Sequence, residues 1–177
     1  MDHNHPLASI IVVTFNSEAF IERCLESLSQ TTYSNYEVVL VDNNSSDTTR
    51  EILSHYSQTY TILKNDENYG FAGGVNRGVA IAKGEYIVLL NPDCVVTPDW
   101  LRHLLQPLRF GCVGATGASL LYPDGDVVQS AGGSVNNLGF TKHYHYGETF
   151  NPKSKILSVD YVTGAAFATK RDLLEHA

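Results

Sequence analysis

Ala8-Ser9-Ile10-Ile11-Val12-Val13-Thr14 is a β-branched run without polar alternation, the pattern of a strand covered on both faces. It decides the fold because the same unit recurs downstream. Tyr36-Glu37-Val38-Val39-Leu40-Val41-Asp42, Thr59 to Lys64 and Tyr86-Ile87-Val88-Leu89-Leu90 read as three more strands. Between them lie helical patterns. Phe20, Ile21, Cys24, Leu25 and Leu28 share one face, with Asn16 or Ser17 as the cap. A helix over Thr48 to His55 follows the loop Asn43-Asn44-Ser45-Ser46-Asp47. Another runs from a glycine-rich turn at Asn68 to Gly74 as far as Ala82, with Gly84 as its C′ stop. Pro98 opens a helix to about Phe110. Strands alternating with helices through short connections predict a parallel sheet with crossover helices, an α/β fold.

After Gly111 the texture changes. Val113 to Tyr122 and Val127 to Val135 flank Pro123-Asp124-Gly125-Asp126, a hairpin turn by composition. Residues 136–155 read as loop with short strands, Ile156 to Thr169 as a strand region, and Arg171 to His176 as the start of a helix. The expected division is therefore an α/β half over residues 1–110 and a mixed β region over 111–177, in one domain overall.

The 177 residues are 43% apolar and 18% charged, which is globular composition and excludes a disordered chain. The longest apolar runs fall far below the roughly 20 residues of a spanning helix. Cys24, Cys94 and Cys112 are odd in number and lack CxxC spacing, so they read as thiols in a reducing compartment, with the cytoplasm as the default. Residues 1–100 hold 5 basic and 13 acidic residues, net −8, whereas 101–177 carry net +1. With no basic stripe, nucleic acid is excluded as a partner. A phosphorylated ligand in the acidic half would need a metal ion or backbone N–H donors.

Ligands of an open α/β sheet bind beyond the carboxyl ends of its strands. Thr14-Phe15-Asn16, Asp42-Asn43-Asn44 and Asn91-Pro92-Asp93 fall at such ends, with the glycine loop Asn68 to Gly78 at a fourth. Any one cluster is accounted for by helix capping; four converging on one crevice favour a site. The loop after the first strand, Thr14 to Glu18, has no glycine, which excludes a dinucleotide fingerprint. GxxxxGK[ST], HExxH and GxSxG are also absent. His3-x-His5 and His143-x-His145 read as solvated polar residues rather than metal ligands.

Five segments come in one order: Ile10 to Asn16, Val41 to Asp47, Asn68 to Gly78, Leu90 to Asp93, and Val162-Thr163-Gly164-Ala165-Ala166-Phe167. Together they resemble the family 2 glycosyltransferases, in particular their rhamnosyltransferase-like branch. The resemblance implies a GT-A fold: a Rossmann-like, mostly parallel twisted sheet with helices on both faces, plus a C-terminal mixed β region. It also implies a nucleotide-diphosphate-sugar donor, a dTDP- or UDP-sugar, and a divalent metal, Mg²⁺ or Mn²⁺. The implied reaction is inverting transfer to a saccharide or lipid-linked acceptor in cell-surface polysaccharide synthesis. The implied setting is the cytoplasm, at the inner face of the membrane.

Carried onto this chain, the family's donor site includes Thr14, Phe15, Asn16 and Asn44. Phe15 would lie against the base and Asp42 would bond the base or ribose. Asn68, Gly70, Asn76 and Arg77 would shape the sugar-phosphate side, and Asp93 would ligate the metal. The same residues have plainer roles open to them: core packing for Phe15, a surface ion pair for Arg77. Two departures stand out. Asn91 occupies the place where relatives often carry a first acid. The carboxylate general base expected after Val162–Phe167 is matched poorly by Asp172 and Glu175, so it is expected beyond Ala177, and this chain is expected to be the donor-binding portion of a longer one, inactive in transfer. Apolar surface near Phe167, Leu173 and Leu174 would then favour a homo-oligomer. A non-catalytic nucleotide-sugar binding module is the alternative, and a nucleotidyltransferase, which would show a basic glycine loop after the first strand, is the third reading.

Overall fold

A computed structural model describes residues 5–123, 125–151 and 155–175. Its centre is a six-stranded sheet in the spatial order Thr61–Lys64, Tyr36–Asp42, Ala8–Thr14, Tyr86–Leu90, Ala166–Lys170 and Ala115–Gly117. Strands β1 (Ala8–Thr14), β2 (Tyr36–Asp42), β3 (Thr61–Lys64) and β4 (Tyr86–Leu90) run parallel. The β-branched runs occupy it because both faces are covered. On one face Ile10, Val12, Val38, Leu40, Val88 and Leu90 pack with the buried side chains of α1 (Ile21–Ser29), α2 (Thr49–Ser54) and α4 (Trp100–Leu105). On the other, Ile11, Val13, Val39, Val41 and Ile87 meet α3 (Gly70–Ile81). This is the expected α/β architecture with helices on both faces.

The order of the strands locates the ligand side. The chain steps outward from β1 to β2 to β3, then crosses on the opposite face through α3 and returns to the far side of β1 as β4. The reversal leaves a crevice between the carboxyl ends of β1 and β4, where open α/β sheets take ligands.

The segment after Gly111 contributes two strands to this same sheet. β10 (Ala166–Lys170) runs antiparallel beside β4, and β5 (Ala115–Gly117) pairs antiparallel with β10. The hairpin around Gly125 forms as β6 (Leu120–Leu121) against β7 (Val128–Ser130), with the Gly125 N–H donating to the Tyr122 carbonyl at 2.8 Å; Asp124 lies outside the described residues. β8 (Gly133–Val135) pairs with β9 (Thr141–His143). The last described element is α5 (Arg171–Glu175).

Several local expectations are corrected. Ile156 to Thr169 is not one strand: Ala166 onward joins the sheet, Tyr161 makes an isolated bridge with Gly133, and Ile156 and Leu157 are exposed. Gly84 is not a helix stop of the left-handed kind. Helix α3 ends at Ile81 with Ala82 extended, and Gly84 is required because a Cβ there would meet the Ser9 nitrogen at 2.6 Å and the Leu7 carbonyl at 2.8 Å. Neither Asn16 nor Ser17 caps α1 through its side chain. The helix starts at Ile21 after a turn in which the Ser17 carbonyl accepts from the N–H groups of Phe20 and Ile21. Phe20, expected on the buried face of α1, is 56% exposed.

Candidate active site

A crevice of about 450 Å³ opens at the switch point between β1 and β4. Val13, Phe15, Asn16, Ser17 and Phe20 line it from the end of β1 and the loop beyond. Asn43 lines it from the end of β2, and Asn68, Gly70 and Phe71 from the start of α3. Asn91, Pro92 and Asp93 complete it after β4. Of the expected site residues, Phe15, Asn16, Asn68, Gly70 and Asp93 therefore meet in one place.

Each wall has a local cause. Pro92 cannot continue the β4 ladder, and the Cys94 N–H closes a turn onto the Asn91 carbonyl at 3.1 Å, which turns Asp93 out to solvent. The Asn91 N–H donates to the Ala165 carbonyl at 2.8 Å, so the Val162–Phe167 segment is bound directly beside this turn. Gly70 has φ 69°, a left-handed value that favours glycine, and its N–H donates to Asn68 Oδ1 at 2.8 Å. Gly74, one turn into α3, lets the helix lie against the crevice floor, since a Cβ there would stand 2.6 Å from Val13 Cγ1 and 3.0 Å from Asn43 Nδ2.

Thr14, Asp42, Asn44, Asn76 and Arg77 do not line the crevice. Thr14 is fully buried and its hydroxyl donates to the Val41 carbonyl. Asp42 is fully buried; its Oδ1 accepts from the Ser45 N–H at 3.1 Å and its Oδ2 from Arg50 Nε at 2.6 Å. Asn44, at φ 64°, accepts from Arg50 Nη2 at 2.9 Å. Asn76 is exposed on α3. The Arg77 guanidinium lies 3.7 Å over the Tyr69 ring, whose hydroxyl donates to Asp66 at 2.8 Å. That hydrogen bond is the main reason the Asp66 carboxyl sits below its usual range.

Of the Asp42-Asn43-Asn44 cluster, the family resemblance puts Asp42 and Asn44 at the donor. Asn43 is the one that lines the crevice. Its Nδ2 donates to the Gly70 carbonyl at 2.8 Å and its Oδ1 accepts from Asn65 Nδ2 at 2.7 Å, so the amide keeps one hydrogen and one lone pair for another partner. Strand alternation carries the signal: Val41 and Asn43 fall on the α3 face, as Ile11 and Val13 do. Phe20 and Phe71 were likewise missed as lining residues. They are 56% and 50% exposed, alongside Phe15 at 48%, and give the crevice an aromatic wall.

Asp93 is the only ionisable side chain among the described lining residues. Among the described residues no group of three or more His, Cys, Asp or Glu side chains could hold a metal ion. A single exposed carboxylate with the Asn91 amide beside it fits a cation shared with ligand phosphates, the usual Mg²⁺ arrangement, and does not fit an all-protein cage. His143 and His145 have local partners: Nδ1 of His143 lies 3.3 Å from Ser130 Oγ and 3.2 Å from the Tyr161 hydroxyl, and Nδ1 of His145 lies 2.8 Å from Glu148. His3 lies outside the described residues.

Residues 9–177 match the family described as Glycosyl transferase family 2. The chain belongs to that family. Its relatives include the O-antigen biosynthesis protein RfbC of Myxococcus xanthus, 35% identical over 142 residues, covering 78% of this chain and 11% of that protein. Glycosyltransferase AglE of Haloferax volcanii is 31% identical over 140 residues, covering 75% of this chain and 46% of that one. The mannosyltransferase PcManGT of Pyrobaculum calidifontis, solved with GDP-Man and Mn²⁺, superposes with a TM-score of 0.72 at 24% identity over 98% of this chain and 47% of its own. Staphylococcus aureus TarS 1-349 with UDP gives 0.66 at 22% identity over 96% and 48%. The fold is GT-A. This family 2 chain spans less than half the length of these relatives. No helix among its described residues is long and apolar enough to cross a membrane.

Proposed function

We infer that the crevice binds the nucleotide-diphosphate-sugar donor of an inverting, hexosyl-type glycosyltransferase acting in cell-surface polysaccharide synthesis on a saccharide or lipid-linked acceptor. The observation that carries the reading is the convergence of Phe15, Asn43, Gly70 and Asp93 on one cleft at the switch point of the sheet. An aromatic face and a free amide edge suit a nucleobase. A lone carboxylate at the opposite lip suits Mg²⁺ or Mn²⁺ shared with the diphosphate. When bound, that cation neutralises charge on the diphosphate leaving group. It also answers how a half-chain of net charge −8 receives an anionic ligand.

In this reading Phe15 stacks on the base, Asn43 hydrogen-bonds it, and Asn68 and Gly70 shape the sugar-phosphate side. The family match, and the GDP-Man and UDP bound by PcManGT and TarS, support a nucleotide-sugar donor. Inverting transfer requires a base for the acceptor hydroxyl, and among the described residues the lining of the crevice offers only Asp93 as a carboxylate. We place the base outside residues 1–177, so this chain binds donor and transfers no sugar by itself.

The test is calorimetry of UDP-, GDP- and dTDP-sugars against the wild-type chain with Mn²⁺ present, repeated with Phe15→Ala. Binding of at least one donor, weakened by the substitution, supports the reading. No binding by any donor overturns it.

A further inference from the structure

The loop that carries Phe15 is held by the neighbouring loop through side chains that do not enter the crevice. Leaving β1, three successive backbone N–H groups find acceptors there. Asn16 N–H donates to Ser45 Oγ at 3.0 Å, Ser17 N–H to Thr49 Oγ1 at 2.7 Å, and Glu18 N–H to Asp47 Oδ2 at 3.1 Å. The first loop answers in kind. Asn16 Oδ1 accepts from the Ser46 N–H at 2.8 Å, and Glu18 Oε2 from the Thr48 N–H at 3.0 Å and the Thr48 hydroxyl at 2.7 Å. Thr49 is fully buried and Ser45 is 4% exposed, so the two bonds they accept are shielded from competing water, whereas those of Ser46, Asp47 and Thr48 are exposed.

The clamp holds an unfavourable backbone. Asn16 has φ 49°, in the left-handed region, and Asn44 in the neighbouring loop has φ 64°. The left-handed region is unfavourable for most non-glycine residues and least so for asparagine, whose short side chain bonds locally; such residues persist where surrounding structure over-determines them. Phe15 lies between the end of β1 and this left-handed residue, with its N–H and carbonyl both 3.3 Å from Ser17 Oγ. Its ring is half exposed at the crevice wall.

We propose that Ser45 and Thr49 are positioning residues for the donor site: through the Asn16-Ser17-Glu18 backbone they fix the Phe15 ring in the pose that stacks on a nucleobase. The inference rests on the donor reading above. It gives the Ser45-Ser46-Asp47-Thr48-Thr49 segment a role in binding without contact, and makes nucleotide affinity a property of two loops.

The experiment is a double-mutant cycle read by calorimetry with UDP and GDP in Mn²⁺. Thr49→Val and Ser45→Ala are each measured in the wild-type and the Phe15→Ala backgrounds, with melting temperatures recorded throughout. Each is expected to weaken binding of the accepted nucleotide about three- to tenfold in the wild-type background, the worth of one hydrogen bond. In the Phe15→Ala background the further loss is expected to be under about twofold. Thr49→Ser, which keeps the acceptor, is expected to restore affinity. Equal losses in both backgrounds, or none in the wild type, overturn the proposal. If Thr49→Val does not fold, Ser45→Ala decides by the same criterion. Phe15→Ala binding as tightly as wild type removes both the proposal and the stacking role; weakened binding with additive losses removes the proposal alone.

Discussion

Arg50 Nε stands 2.6 Å from Asp42 Oδ2, with the Asp42 side chain wholly buried and that of Arg50 39% exposed. The carboxylate at the end of β2 is thus satisfied from within, by Arg50 and by the Ser45 N–H. It ties the end of the strand to α2 and to the loop that steadies Phe15.

Asp42→Asn is accordingly expected to act on stability first. It weakens two hydrogen bonds at a buried position, a loss of about 1–3 kcal/mol. Urea denaturation reads it. A variant with unchanged unfolding midpoint and weakened nucleotide binding would instead make Asp42 a ligand contact.

Asn43→Ala removes the amide that faces the cleft and the bond to the Gly70 carbonyl. It is expected to weaken nucleotide binding by about 1–2 kcal/mol, beyond any change in melting temperature. Asn44→Ala, on an exposed side chain outside the crevice, is expected to leave nucleotide affinity within about twofold of wild type. Its cost is about 1 kcal/mol of stability, because it places alanine at φ 64°. Asn44→Gly is expected to avoid most of that cost. Paired calorimetry and thermal melts separate the residues.

Gly74→Ala tests how closely α3 must approach the sheet. Its Cβ would meet Val13 Cγ1 at 2.6 Å, so the helix must shift away from the crevice floor. The expected loss is about 1–3 kcal/mol of stability, as for overpacking in a filled core, together with weaker nucleotide binding. Gly111→Ala, where a Cβ meets nothing within 4 Å, is the control and is expected to be silent in both measurements.

The three thiols should react in a fixed order. Cys112 is exposed and reacts first with a disulfide reagent at pH 8. Cys94 is half-buried, and burial with Asp93 beside it pushes its thiol up to about 11. Cys24 is buried and pushed up to about 12, chiefly by desolvation. Because the thiolate is the nucleophile, Cys24 is expected to react only on unfolding. Mass spectrometry after timed labelling gives the order; early modification of Cys24 would contradict the packing of α1.

The parallel half of the fold was legible because its strands are unbroken β-branched runs and its helices are amphipathic, both consequences of two-sided burial. The antiparallel insertion of β10 was not. Nothing in Ala166-Phe167-Ala168-Thr169-Lys170 tells which strand it will join, since pairing between β4 and β5 is settled by tertiary contacts. The site was legible as clusters at strand ends, yet the orientation inside each cluster was not. The family resemblance put Asp42 on the base or ribose, whereas its carboxylate is buried and held by Arg50, eight residues on. Asn43, one position along, faces the cleft. Phe20 reads as core from helical spacing, but α1 begins only at Ile21 and leaves it at the crevice.

Metal-dependent nucleotide binding at Asp93 is the claim on which the functional account turns. The measurement is calorimetric titration of UDP and GDP into the wild-type chain and into Asp93→Asn, each with Mn²⁺ and with EDTA. The account predicts that the wild type binds one of these nucleotides with Mn²⁺ at least tenfold more tightly than with EDTA. In Asp93→Asn, with an unchanged melting temperature, that difference is expected to collapse, because a neutral amide is a poorer ligand for a hard cation. Nucleotide binding indifferent to both EDTA and the substitution would contradict it.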